Sequence, residues 1–194
     1  MTAIKAVAVY CGALFGTGPK YRETAYRFGQ ALAHSNIDLV FGGGSVGLMG
    51  VISDGVVDAG GRAFGVITRS LIRQEVANTR LTRLEVVDSM HERKQRMFEM
   101  ADAFVALPGG VGTLDETIEV ITWRQLGLHD KPIVIVDHDG YWEPLERLMR
   151  HIVQSGFAAP SLHGLYTVVP GVDDVLDTLR AAPPPALPDK PEIT

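Results

Sequence analysis

With 194 residues the chain has the length of one domain, and its 46% hydrophobic content can supply a large core. The net charge of -5 argues against a general nucleic-acid binder, which would be basic. No apolar run reaches the length of a membrane span, the start MTAIKAVAVY lacks the shape of a signal peptide, and the single cysteine excludes an internal disulfide framework, so a cytoplasmic enzyme is expected.

Ile4 to Tyr10 reads as a first strand, followed by a loop through Cys11-Gly12 and Gly16-Thr17-Gly18-Pro19. Tyr21, Ala25, Phe28 and Leu32 then recur at helical spacing. Cys11 ends the strand, where ligands gather in open α/β sheets. It has no histidine nearby in sequence and reads as a small buried residue. Ile37 to Phe41 is a second strand, and GGGSVGLMG follows at 42–50. Gly42, Gly44 and Gly47 satisfy G-x-G-x-x-G between a strand and a helix, the dinucleotide fingerprint by form. The fingerprint belongs after the first strand and wants an acid ending the next one, but Arg62 to Ile67 ends in Thr68-Arg69. Two readings stay open. The loop approaches a mononucleotide phosphate or ribose, or its glycines serve only the turn and helix packing. Residues 68–83 have no clean period and are long for a connection, which points to a short helix or a flap. Glu75 is the one carboxylate there; it is solvated, or it accepts hydrogen bonds from a base or sugar if the segment folds over a site.

Leu84 to Val87 is a fourth strand, and Ser89 with Glu92 forms a capping-box pattern before a helix. Met90, Arg93 and Met97 share one face of it, with Lys94 adjoining. A solvated charged face is one reading. An arginine between two methionines meeting a buried carboxylate or a phosphate is the other. Ala103 to Leu107 has the composition of a strand covered on both sides, and Pro108 ends it. Gly109, Gly110 and Gly112 leave a loop almost without side chains, and Thr113 is suited to cap the next helix. Bare backbone at a helix N-terminus is a phosphate cradle. Glu116 stands three residues on: either it completes a capping box with Thr113, or it acts on a sugar attached to the bound phosphate. Glu119 falls on the Glu116 face, and Gly127 ends the helix. Pro132 to Val136 is strand six, 137–140 a turn without the geometry of a metal site, 141–155 an amphipathic helix, Leu165 to Val169 strand seven and 172–180 a last helix. The proline-rich stretch 182–194 reads as a disordered tail to a single domain, 1–181. The whole pattern is α/β: a Rossmann-like, doubly wound, mostly parallel sheet of about seven strands. Both glycine loops leave the C-terminal ends of strands, so they can share one crevice.

PGGVGTLDE, together with GGGSVGLMG, MHERKQRM, ADAFVALPGG and ITWRQLGLHDKPIVIVD, resembles the LOG-type family of cytokinin riboside 5'-monophosphate phosphoribohydrolases, in order from about Val7 to Phe157. The resemblance implies a homodimer with sites near the subunit contact. It implies hydrolysis of an N6-modified AMP to free base and ribose 5-phosphate, with no cofactor and no metal. The family's catalytic pair falls on Arg93 and Glu116. Its substrate contacts fall on Glu75, Met90, Arg93, Lys94, Gly43, Gly44, Gly110, Val111, Gly112, Thr113, Leu114, Asp115, Glu116 and Thr122. Many relatives carry a lysine decarboxylase label, but no lysine here stands out as a Schiff-base former. Two alternatives are kept: a nucleosidase acting broadly on AMP and other nucleoside 5'-monophosphates, and a non-enzymatic binding protein like the molybdenum-cofactor carriers. The base preference is not legible in the sequence.

Overall fold

The central strand sequences AVAVY, AFVA and IVIV are apolar at nearly every position, and they are buried on both faces. The computed structural model describes residues 4–73 and 75–181. The strands β1 (Ala6–Tyr10), β2 (Asp38–Phe41), β3 (Ala63–Thr68), β4 (Arg83–Val87), β5 (Ala103–Ala106), β6 (Ile133–Val136) and β7 (Thr167–Val169) form one sheet in the order β4-β3-β2-β1-β5-β6-β7. Every neighbouring pair is parallel, so the expected mostly parallel sheet is wholly parallel. The expected tail, 182–194, lies outside the described residues.

Alternation along the strands divides the core in two. Val7, Val9, Leu39 and Phe41 face α1 (Lys20–His34), α2 (Gly47–Asp58) and α6 (Val175–Ala181). Ala8, Tyr10, Val40 and Phe104 face α3 (Met90–Met100), α4 (Val111–Gln125) and α5 (Glu143–Gln154). Helices α1 and α2 cross at contact distance because a Cβ on Gly29 would lie 2.3 Å from the Ile52 carbonyl, and one on Gly55 2.3 Å from the Tyr26 carbonyl. The chain runs outward from β1 to the β4 edge, then returns to lay β5 against the other side of β1. The loops after β1 and β5 therefore diverge, opening a crevice at the switch point.

The aperiodic segment 68–83 is not a free flap. Turns carry it across the loop after β2, where the Ser45 N–H donates to the carbonyls of Glu75 (3.0 Å) and Val76 (2.9 Å) and the Asn78 N–H to Gly43 (3.0 Å). Buried Asn78 locks this strap: its Nδ2 donates to Ser53 Oγ at 2.8 Å, and its Oδ1 accepts from the Arg80 N–H at 2.9 Å. Asn78→Ala is expected to cost about 1–3 kcal/mol, read as a Tm lower by roughly 5 °C. An unchanged Tm would mean that the strap is held elsewhere.

Candidate active site

The crevice is a cavity of about 620 Å³ between the loops after β1 and β5. The Gly12 N–H, donating to the Pro108 carbonyl at 3.1 Å, ties the two loops together. Helix α4 starts at Val111 with Gly110 in the N-cap position, so Thr113 is not the cap that the sequence suggests. The backbone turns helical as soon as the glycine pair allows. Thr113 falls inside the first turn, where it is buried, with its side chain against Gly109. No capping box joins it to Glu116; the Thr113 carbonyl accepts from Thr117 Oγ1 at 2.7 Å. The N–H groups of Val111, Gly112 and Thr113 precede the first intrahelical bond, from the Leu114 N–H to the Gly110 carbonyl at 3.0 Å. Open space surrounds Gly110 and Gly112, so an anion can approach these donors closely.

Glu116 lies one turn further along α4 and lines the same cavity. Burial pushes its carboxyl up to about 7; Arg93 opposes the rise, and Asp115 and Glu75 add to it. Arg93 projects from α3, whose start is capped by Ser89 Oγ accepting the Glu92 N–H at 3.1 Å. The Glu92 carboxylate accepts from the Asp88 N–H at 3.0 Å, one residue earlier than in a standard capping box. Arg93 is only 5% exposed. Its Nε donates to the Val66 carbonyl at 3.0 Å, and its Nη2 to the Gly42 carbonyl at 3.0 Å and to Glu75 Oε2 at 3.1 Å. The methionine-flanked arginine thus meets a half-buried carboxylate, Glu75, delivered by the strap. Burial raises the Glu75 carboxyl and Arg93 opposes that rise.

Of the residues singled out from the sequence, Glu75, Met90, Arg93, Gly110, Val111, Gly112, Thr113, Asp115 and Glu116 come together in the cavity wall. Gly43, Gly44, Lys94, Leu114 and Thr122 lie outside it. Gly43 and Gly44 serve packing: a Cβ on Gly43 would lie 2.7 Å from Leu84 Cδ1, and one on Gly44 2.9 Å from the Glu75 Cβ. The start of α2 packs on the loop after β1: the Leu48 N–H donates to the Gly12 carbonyl at 2.9 Å, and a Cβ on Gly47 would lie 2.2 Å from the Ala13 carbonyl carbon. Lys94 braces α3 against α4 through Glu119 (2.9 Å) and Asp115 (3.2 Å). Leu114 faces a separate groove with Val111 and Ile118, and exposed Thr122 returns its hydroxyl to the Ile118 carbonyl at 2.8 Å. Cys11 lines the cavity floor, buried as expected, and burial pushes its thiol up.

Sequence reasoning missed Leu14, Phe15, Tyr21, Met49, Leu71 and Tyr141, all of which line the cavity. The turn at 137–140 brings the chain back here beside Tyr141, a return that no periodicity in the sequence records. Its carboxylates diverge: Asp137 accepts the Trp142 N–H at 2.6 Å, and Asp139 pairs with Lys20 at 2.7 Å.

A family model described as "Possible lysine decarboxylase" matches residues 49–179. The chain is 43% identical over 178 residues to the cytokinin riboside 5'-monophosphate phosphoribohydrolase of Rhodococcoides fascians, covering 91% of this chain and 90% of that one. It is 40% identical over 176 residues to cytokinin riboside 5'-monophosphate phosphoribohydrolase LOG1 of Arabidopsis thaliana, covering 91% and 83%. The chain belongs to the LOG family. Among the described residues, no lysine lines the cavity of this LOG-family chain, so the decarboxylase label finds no Schiff-base group there. The molybdenum cofactor binding protein of Rippkaea orientalis matches the LOG-family fold with a TM-score of 0.70, at 19% identity, over 93% of this chain and 98% of that one. A Moco carrier protein from Chlamydomonas reinhardtii matches with a TM-score of 0.70 at 18% identity. At such identities the likeness shows the shared fold alone.

Proposed function

We propose that the protein is a cytoplasmic, homodimeric phosphoribohydrolase that cleaves the N-glycosidic bond of N6-modified AMP, releasing free base and ribose 5-phosphate. The observation that carries this reading is one cavity holding both an open helix N-terminus and, one turn along the same helix, a carboxylate raised to about 7. The 5'-phosphate sits on the N–H groups of Val111, Gly112 and Thr113, aided by the helix dipole. Breaking the C1'–N9 bond sends its electron pair to the base and builds positive charge on the ribose. Ionised Glu116 stabilises that charge and takes a proton from the attacking water, whose oxygen bonds to C1'; that proton then passes to the departing base, which leaves neutral, and the carboxylate is restored. Arg93, fixed by three acceptors, favours departure of the base. Water is the only co-reactant this scheme needs.

The apolar wall made by Met49, Leu71, Met90 and Met97 suits an N6 alkyl substituent. A dimer is supported by the apolar groove of Val111, Leu114 and Ile118 on α4, next to the cavity, with Leu126 exposed further along. No helix of the described residues is long and apolar enough to cross a membrane. The deciding experiment is a product assay with purified protein on AMP and isopentenyl-AMP side by side. Free base and ribose 5-phosphate are expected from isopentenyl-AMP, at a higher kcat/KM than from AMP. No release from either substrate by folded protein would overturn the reading, and faster AMP cleavage would replace it with a general nucleosidase.

A further inference from the structure

We propose that Tyr141 is a positioning residue for the phosphate: its hydroxyl holds the Gly109–Gly110 peptide so that the Gly110 N–H joins the donors at the start of α4. The proposal rests on the phosphoribohydrolase reading for its substrate, though not for its geometry. Tyr141 follows the short turn after β6, lines the cavity, and donates its hydroxyl to the Gly109 carbonyl on the neighbouring loop. In a planar trans peptide the C=O and the following N–H point in opposite directions. Fixing the Gly109 oxygen toward Tyr141 therefore turns the Gly110 N–H away from it.

This peptide needs such an anchor. It lies between two glycines, whose backbones rotate more freely than any other residue's. Gly110 has open space around it and no side chain to hold it. The loop is also held on either side of this bond, beyond it by the Gly110 carbonyl, which accepts the Leu114 N–H at 3.0 Å, and before it by two contacts. The Gly12 N–H grips the Pro108 carbonyl at 3.1 Å, and Thr113 packs on the Gly109 Cα. The anchor packs on two aromatic neighbours. The Tyr141 ring stands edge-on to Trp142, with centroids 4.9 Å apart, and to Tyr21 at 5.8 Å. Trp142 is buried and its backbone N–H is held by Asp137 Oδ1 at 2.6 Å. A tyrosine on one strand's loop thereby sets the donor direction on another's, before substrate arrives. Donors aligned in advance bind an anion without the cost of ordering a glycine loop.

Tyr141→Phe keeps the ring packing and removes only the hydroxyl. The variant is expected to raise KM for isopentenyl-AMP about tenfold and to weaken binding of ribose 5-phosphate by a similar factor, the scale of one lost charge-assisted hydrogen bond. kcat and Tm are expected to stay near wild type. Tyr26→Phe, which removes a surface hydroxyl bonded to Asp58, serves as the control and changes neither KM nor binding. The amide resonance of Gly110 in the ligand-free protein supplies a second readout. Loss of the anchor lets the peptide sample two orientations, so this resonance shifts or doubles in Tyr141→Phe. An unmoved Gly110 resonance would overturn the proposal even with weaker binding, because Tyr141 would then touch the phosphate directly. Unchanged ribose 5-phosphate binding, or a loss in kcat alone, would also overturn it. If the wild type hydrolyses no monophosphate while ribose 5-phosphate binding and the Gly110 signal still respond, the functional reading fails and the positioning role stands.

Discussion

Glu116→Gln is expected to lower turnover of isopentenyl-AMP by about 10²–10⁴-fold, the range for loss of a positioned acid–base group. Glutamine fills the same space but neither takes a proton from water nor faces the ribosyl cation with a negative charge. The pH dependence gives the sharper test. Only the ionised carboxylate is active in this scheme, so kcat/KM of the wild type falls below pH about 7. In the glutamine variant that limb disappears, leaving the one from the substrate phosphate, which titrates at about 6. Stability moves the opposite way. The folded state holds the Glu116 proton up to about 7, whereas its ordinary value is 4.5. The folded protein thus binds more protons across that window, and stability is lost as pH rises through it. A neutral glutamine escapes this loss. The variant should gain up to about 3 kcal/mol over wild type at pH 8, and the gain should vanish near pH 4.5. A variant that is inactive yet less stable than wild type at pH 8 would show that Glu116 holds the fold together. One that keeps near-wild-type turnover would remove it from the chemistry.

Arg93→Ala is expected to damage both fold and activity. It frees the Val66 and Gly42 carbonyls and leaves Glu75 without its cation inside the protein. Because Glu75 is only half-buried, breaking the pair is expected to cost about 3 kcal/mol, the low end for buried pairs, which corresponds to a Tm lower by roughly 8 °C. Because Glu75 is itself raised by burial, it takes up a proton as pH falls, and the penalty shrinks toward acid pH. Adding Glu75→Gln neutralises the orphaned group and should recover part of the stability while recovering no turnover. The arginine's charge also opposes the rise at Glu116, so its loss should shift the acid limb of any residual activity to higher pH. Thermal unfolding and pH–rate profiles of the single and double variants check these signs. Arg93→Ala with wild-type Tm and an unmoved limb would contradict the buried-pair account.

Much of the architecture is local and was legible in residues. AVAVY, AFVA and IVIV are apolar on both faces, which only a strand covered by helices on both sides can accommodate. The bare backbone of 109–112 before a helix marked the candidate anion cradle, and the two flanking methionines offered burial of Arg93 as one of two readings, the one the structure bears out. Three features depended on the tertiary structure. Gly44 belongs to a G-x-G-x-x-G match with Gly42 and Gly47, yet Gly43 and Gly44 receive the strap bearing Glu75, which arrives from far along the chain. Arg93 bonds Glu75 rather than Glu116, because β2, β3 and the strap converge on its guanidinium only after the sheet has assembled. Tyr141 reaches Gly109 from the loop after β6, the strand next to β5. Periodicity reports which face of an element is buried. It carries no record of which distant segment arrives at that face, because the strand order β4-β3-β2-β1-β5-β6-β7 brings those segments together at the switch point.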